Sequence, residues 1–139
     1  MKPTRGERNN NPGNLDRVPG LIWQGASRDQ SEDPRFVVFD EPVMGIRALA
    51  RTLLTYYRKY QRDTVRKIIN RWAPPSENAT NAYVEHIAAL LKVGPDDPIS
   101  PEVPRTLQVL TKAIITHENG RCVYEDALIE EAVNRALAS

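Results

Sequence analysis

Apolar residues recur at helical spacing along most of the chain after residue 43. In the first such stretch Ile46, Leu49 and Leu53 share one face, and basic residues occupy the opposite face. The same periodicity continues almost to the end of the chain. It predicts five helices, over residues 43–61, 64–72, 80–92, 101 or 102–118, and 125–136.

Residues that stop or start helices separate these stretches. Pro74-Pro75 ends the second helix, because proline lacks an N–H donor and restrains the residue before it. Thr80 is the predicted N-cap of the third helix, and Gly94 follows its end. Asn119-Gly120 is a typical C-terminal stop for the fourth helix.

The first 40 residues have a different pattern. Residues 8–15, with four asparagines, a proline and a glycine, predict an ordered loop that tolerates left-handed backbone. Two short runs that favour β-structure, residues 21–23 and 35–39, predict one small hairpin. The predicted fold class is therefore α+β and mainly α, as a single domain over residues 1–139.

The distribution of charge and the number of cysteines limit the kinds of binding partner and of cross-link that we expect. The net charge is only +1, yet residues 47–71 carry eight basic side chains against Asp63 alone. Such a segment suits a polyanion such as a cell wall or a nucleic acid, although a solvated helix face explains it equally well. The single cysteine, Cys122, allows no internal disulfide.

Targeting signals are not evident in the sequence. The polar start lacks the apolar core of a secretory signal, and no run is long and apolar enough for a membrane span. We therefore expect a protein made in a host cytoplasm and delivered to its target by another agent.

Carboxylate chemistry is the class of chemistry that the sequence leaves open. Two histidines and one cysteine form no metal-ligand spacing, so no metal or cofactor is predicted, and phosphate loops and nucleophile elbows are absent from the sequence. Glu118 stands out because it ends an otherwise apolar helix. The helix dipole and the neighbouring Ile114 and Ile115 both favour its protonated form, which a general acid requires. The alternative is an exposed glutamate that happens to end a helix.

Several motifs carry a family resemblance. His117-Glu118-Asn119-Gly120 resembles the helix end that bears the catalytic glutamate in chitinase-like and glucosaminidase-like members of the lysozyme superfamily. The asparagine-rich loop, residues 36–49 and residues 72–83 resemble segments that follow that glutamate in those enzymes. Here the glutamate comes last, so a circular permutation would have to bring the N-terminal loop and the end of the fourth helix together.

The whole chain also resembles a family of phage-encoded proteins, often described as virion structural proteins. The shared motifs are an Arg-Asn-Asn-Asn-Pro-Gly-Asn opening and a Trp-Ala-Pro-Pro-x-Glu-Asn-x-Thr segment. The two resemblances together imply a lysozyme-like domain acting on bacterial peptidoglycan as a muramidase, lytic transglycosylase or glucosaminidase. It would be released by a holin or carried in the virion, where other virion proteins are further partners.

A set of substrate-binding residues follows from these motifs. Asn11 and Asn14 can bind sugar amides or cap their own turn, and Trp72 can stack on a sugar or anchor the core. Glu77 and Asn78 present polar groups or simply begin a helix, and Tyr83 lines the cleft or packs through its ring. Glu7 is a reserve acid. The rival functions are a virion or wall-binding protein without activity and, less favoured, a nucleic-acid-binding module.

Overall fold

The computed structural model describes residues 1–73 and 78–139, and of Asn78 the backbone. The described part of the chain is mainly helical. Its helices are α1 (Arg5–Arg8), α2 (Pro42–Tyr60), α3 (Val65–Trp72), α4 (Asn78–Leu91), α5 (Pro104–Asn119) and α6 (Asp126–Ala138). Five of the six confirm the helices predicted from the periodicity, with ends that differ by at most three residues.

The long helix α2 is the centre of the packing. Pro42 occupies its first turn, and Gln61 ends it in the left-handed conformation with φ 51°. Its apolar face is fully buried, and α2 packs against α3, α5 and α6. Helix α4 packs between α3 and α5. The core is aliphatic, with Phe39 as its largest fully buried side chain.

Two helix starts differ from prediction. Helix α4 begins at Asn78, so Thr80 lies in its first turn and is not its N-cap. The unpredicted helix α1 carries a capping box, in which the Thr4 hydroxyl accepts from the Glu7 N–H and the Glu7 carboxylate accepts from the Thr4 N–H. The helical spacing also predicts Leu90 and Leu128 as inward positions, but Leu90 is exposed and Ile129 is more buried than Leu128.

The predicted hairpin is not formed among the described residues. The segment between α1 and α2 contains two isolated antiparallel bridges, Asp16 with Phe36 and Ala26 with Phe39. Residues 21–23 make neither bridge, and Leu21 and Ile22 are exposed. The backbone of residues 35–40 bonds instead to residues 15–17 and 25–27. The Gln30 side chain adds to this pairing by bonding both backbone groups of Val38, at 2.8 Å each.

Asp33 fixes the rest of this irregular segment. Its buried carboxylate accepts two hydrogen bonds from the Arg5 guanidinium at 2.7 and 2.8 Å. It also accepts from the Asn9 amide and from the backbone N–H groups of Arg35 and Phe36. These donors, Arg5 foremost, hold the pKa of Asp33 well below its usual range. The irregular segment is thus tied to α1 by one carboxylate.

Candidate active site

Glu118 lies in the last turn of α5, beside a cleft. Glu118 as a whole is exposed to solvent on one side. The surrounding protein nevertheless desolvates its carboxyl group, and this desolvation raises the pKa of that group. Hydrogen bonding from the Asn14 and Trp72 side chains acts in the opposite direction and is the weaker influence. The carboxyl group therefore keeps its proton to a higher pH than an ordinary glutamate does.

The N-terminal loop meets the end of α5, as the prediction of neighbouring segments required. The Asn14 amide donates to Glu118 Oε1 at 3.4 Å across 104 positions of sequence. The Asn119 amide donates to the Pro12 carbonyl at 2.8 Å, and its Oδ1 accepts from the Thr4 hydroxyl at 2.7 Å. The contacts that Asn119 makes with the N-terminal segment therefore hold the neighbouring acid beside the amide.

Left-handed backbone gives the loop its shape. Asn10 and Asn14 have φ of 51° and 50°, a region that asparagine tolerates better than most residues. At Asn14 this turns the amide toward Glu118. The Asn14 Oδ1 atom is buried and has no hydrogen-bond partner within the described residues. The asparagine-rich composition is thus a requirement of backbone geometry as well as a source of polar groups.

The cleft beside Glu118 has a volume of about 340 Å³. Polar and aromatic groups share its walls. The lining residues are Gly13, Asn14, Leu15, Asp16, Arg35, Phe36, Thr52, Tyr56, Trp72 and Glu118. Aromatic rings next to hydrogen-bonding groups are a combination that suits a sugar, which presents both apolar faces and hydroxyls.

Trp72 joins the core to the cleft. It is half-buried, packs against the hydrophobic core and lines the cleft beside Glu118. Its indole N–H acts to lower the pKa of that carboxyl group. A Cβ at Gly13 would come within 3.3 Å of the Trp72 ring, so the loop lies directly against the indole. The anchoring and cleft-lining interpretations of Trp72 therefore both hold.

Asn11 does not face the cleft, and its predicted substrate contact needs correction. The residue is completely buried. Its amide donates to the carbonyls of Leu15 and Val37 at 3.1 and 2.8 Å, and its oxygen accepts from the Leu15 N–H at 3.0 Å. Its polar groups are already engaged by the backbone, so Asn11 shapes the loop that presents Asn14.

Tyr83 lies under the helix end and does not line the cleft. Only 7% of the residue is exposed, and its ring stacks on His117 with centroids 3.7 Å apart. His117 in turn approaches His86, with 3.2 Å between their ring nitrogens. Burial first, and the charge of Glu118 second, raise the pKa of the Tyr83 hydroxyl. Tyr83 therefore supports the Glu118 turn through packing.

The side chains of two predicted site residues, Glu77 and Asn78, lie outside the part of the chain that the structure describes. Glu77 lies outside the described residues. Asn78 is the first residue of α4, and its side chain also lies outside them. Their predicted contact with substrate stays a prediction.

Glu7, the reserve acid, has a different environment. Its carboxylate is 8% exposed and accepts two hydrogen bonds from the Arg121 guanidinium, at 2.6 and 3.0 Å. Arg121 is the main reason that the pKa of Glu7 is lowered, against a smaller opposing effect of burial. Glu7 is therefore an ionised partner in an ion pair and unsuited to donating a proton.

Sequence reasoning missed five side chains of the cleft. Asp16 pairs with Arg35 at 2.7 Å, and both line the cleft together with Phe36 and Tyr56. Thr52 and Tyr56 are four residues apart on α2, so the helical spacing could have predicted that they share one face of the helix. No local pattern marks Asp16 or Phe36, because their positions depend on the irregular segment.

Other chemistry finds little support in the described part of the chain. No group of three or more His, Cys, Asp or Glu side chains there could hold a metal ion. Searched over the same residues, no helix is long and apolar enough to cross a membrane.

Ion pairs neutralise part of the basic segment. Arg58 pairs with Glu102, Arg66 with Asp96 and Lys67 with Asp63, at 2.7 to 3.1 Å. Arg47 is buried. The charge available to a polyanion is therefore smaller than the sequence count indicates.

Comparison with known proteins relates this chain to a phage protein. No family model matches the sequence. Protein P5 of Pseudoalteromonas phage PM2 is 38% identical to this chain over 122 residues, which cover 86% of the chain and 74% of P5. An identity of this size over most of both proteins shows common ancestry, and the chain therefore belongs to the same family as this phage protein.

Proposed function

We propose that this protein is a lysozyme-like glycosidase that cleaves peptidoglycan, with Glu118 as its general acid. One observation carries the proposal: a carboxyl group with a raised pKa lies in a cleft, beside an amide and an indole from distant parts of the chain. Cleavage of a glycosidic bond near neutral pH needs a carboxylic acid that is still protonated.

Glu118 donates its proton to the glycosidic oxygen in the proposed reaction. As the bond breaks, the leaving sugar takes that proton and Glu118 becomes a carboxylate. The Asn14 amide and the Trp72 indole are donors, so they bind the carboxylate better than the neutral acid. Their interaction strengthens as the proton leaves, which lowers the barrier without preventing protonation beforehand.

The second half of the reaction has two candidate routes. With Glu118 as the only carboxylate, Glu118 takes the proton of the substrate's own hydroxyl while that oxygen attacks the anomeric carbon, so an anhydro sugar forms and the acid is restored, as in lytic transglycosylases. Asp16 lines the same cleft and pairs with Arg35, so it can serve as the second carboxylate of a hydrolase. The products distinguish these routes, because hydrolysis leaves a reducing end and transglycosylation leaves an anhydro end.

Kinship with a phage protein sets the biological context of the proposal. A phage must open the cell wall on entry or at release, so a wall-cleaving enzyme has a use at either stage. Release from the host cytoplasm through a holin and carriage in the virion are both compatible with this role. A virion protein that binds the wall without cleaving it is the second candidate, and the same family relationship favours it.

Zymography on purified peptidoglycan tests the proposal. We expect clearing by the wild type and by Glu130→Gln, a matched change of an exposed carboxylate on α6. Glu118→Gln should clear about a thousandfold less, because an amide cannot donate the proton. Equal clearing by Glu118→Gln would move the active site elsewhere. Binding to the wall by all three folded proteins without clearing would favour the second candidate.

A further inference from the structure

A larger cleft adjoins the Glu118 cleft. Its volume is about 1080 Å³, and its walls come from the irregular segment between residues 16 and 40. Asp16 and Arg35 border both clefts, so the two spaces meet at this ion pair. A ligand bound at Glu118 can therefore extend into the larger cleft without leaving the surface.

Arginines give the larger cleft an attraction for carboxylates. Arg17 and Arg28 are exposed, and neither forms an ion pair within the described residues. Arg17 also donates to the Asp33 carbonyl at 2.8 Å, which restrains its guanidinium. The acidic lining residues are already engaged, since Asp16 pairs with Arg35 and Asp40 accepts from the Ser27 hydroxyl at 2.7 Å.

Apolar groups lie beside these guanidinium groups. Leu21 and Ile22 are 50% and 89% exposed, an unusual position for side chains of this size. Trp23 lines the same cleft, is half-buried and packs against the core. The cleft therefore offers apolar contacts for methyl groups and two guanidinium groups with free donors. A neutral sugar chain alone would not use these guanidinium groups.

We propose that this cleft binds the peptide stem of peptidoglycan, a short peptide that combines alanine methyl groups with carboxylates. The inference rests on the proposed function, because the stem is attached to the sugar chain next to the bonds that Glu118 would cleave. The stem carboxylates pair with Arg17 and Arg28, and its alanines contact Leu21, Ile22 and Trp23. The larger cleft thus selects peptide-bearing glycan over unsubstituted glycan.

Binding of a synthetic stem peptide, L-alanyl-γ-D-glutamyl-L-lysyl-D-alanyl-D-alanine, to the full chain tests this inference by calorimetry without any glycan. We expect the wild type to bind the peptide, and affinity to fall as salt is raised. Arg28→Glu should weaken binding about fivefold or more. The matched control Arg105→Glu reverses a charge of an exposed arginine on α5 outside both clefts, and should change affinity less than about twofold.

The outcomes separate this inference from the proposed function. Cleavage of peptidoglycan without peptide binding overturns the stem site and leaves Glu118 as the acid. Equal weakening by Arg28→Glu and Arg105→Glu also overturns it, because the effect is then one of net charge. Peptide binding that Arg28→Glu alone weakens supports the stem site even when the wild type cleaves nothing.

Discussion

At the scale of single residues, Glu118 combines two opposing influences. Desolvation by the protein favours its neutral acid, and the donors of Asn14 and Trp72 favour its carboxylate. Desolvation is the stronger, so the pKa is raised. A general acid benefits from both influences. Desolvation keeps the acid protonated before the reaction, and the two donors stabilise the carboxylate that forms when the proton leaves.

Removal of the Asn14 amide tests this balance. Asn14→Gly keeps the left-handed backbone and deletes a donor that lowers the pKa of Glu118, so that pKa should rise further. A general acid works only while protonated, so activity falls as pH rises through its pKa. The descending limb of the pH–rate profile of the variant should therefore lie at higher pH than that of the wild type.

Asn14→Asp sharpens the same measurement. It retains the shape of the side chain and adds a negative charge near Glu118, so it should move the descending limb in the same direction and further than Asn14→Gly does. A limb that moves to lower pH in either variant would contradict the role assigned to Asn14.

The maximal rate of Asn14→Gly is a separate test. Loss of the long hydrogen bond between Asn14 and Glu118 should reduce that rate about fivefold.

At the scale of elements, helices follow from the sequence and the irregular segment does not. Five helices are readable because each buries a stripe with a period of 3.6 residues and ends at a proline, glycine or capping residue. Helix α1 could have been predicted too, since Thr4 and Glu7 form the spacing of a capping box. The hairpin prediction failed because residues 35–40 bond to residues 15–17 and 25–27 and to the Gln30 side chain, contacts that no alternation of polar and apolar residues reveals.

Gly45 tests how α2 supports the N-terminal loop. A Cβ there would overlap the Asn10 carbonyl and lie 3.2 Å from the Asn11 Cα. We expect Gly45→Ala to lower the free energy of unfolding by about 2 kcal/mol, because the loop backbone has to move away from the helix. Chemical denaturation measures this change.

Helix propensity alone gives the opposite expectation for the same variant. Alanine is favoured over glycine in a helix interior by about 0.5 to 1 kcal/mol. A Gly45→Ala protein more stable than the wild type would therefore show that the loop does not press on α2. Displacement of the loop should also reduce activity, since Asn14 belongs to it.

At the scale of the whole molecule, the site is built where the start of the chain meets the end of α5. Glu118 and Asn14 were both predicted from the sequence, and the circular permutation that the resemblance needs required their two segments to be neighbours. Asp16, Phe36 and Tyr56 were not predicted as site residues. They lie far apart in the sequence, and only the folded chain brings them to one cleft. Asn11 was misassigned because composition does not tell a buried asparagine from an exposed one.

The ion pair of Glu7 with Arg121 closes this arrangement across 114 positions. The pKa of Glu7 is lowered in the folded protein, so the pair stabilises the fold above the ordinary glutamate pKa of about 4.3. That stabilisation is lost as pH falls through the lower, folded pKa. The melting temperature of Glu7→Gln should therefore lie below that of the wild type at pH 5 to 8, by a gap that narrows below about pH 4.

A double-mutant cycle with Arg121→Gln provides the control. In the Glu7→Gln background the arginine has lost its carboxylate partner, so its removal should cost less stability than in the wild type. A gap between wild type and Glu7→Gln that stays constant down to low pH would show that the pair does not hold the two segments together.

Release of soluble fragments from purified peptidoglycan, identified by mass spectrometry, tests the central claim most directly. We predict that the wild type and Glu130→Gln release fragments cut between sugars, with either a reducing or an anhydro end, and that folded Glu118→Gln releases about a thousandfold fewer. Fragments cut at the same bonds and the same rate by Glu118→Gln would contradict the claim that this carboxyl group supplies the proton.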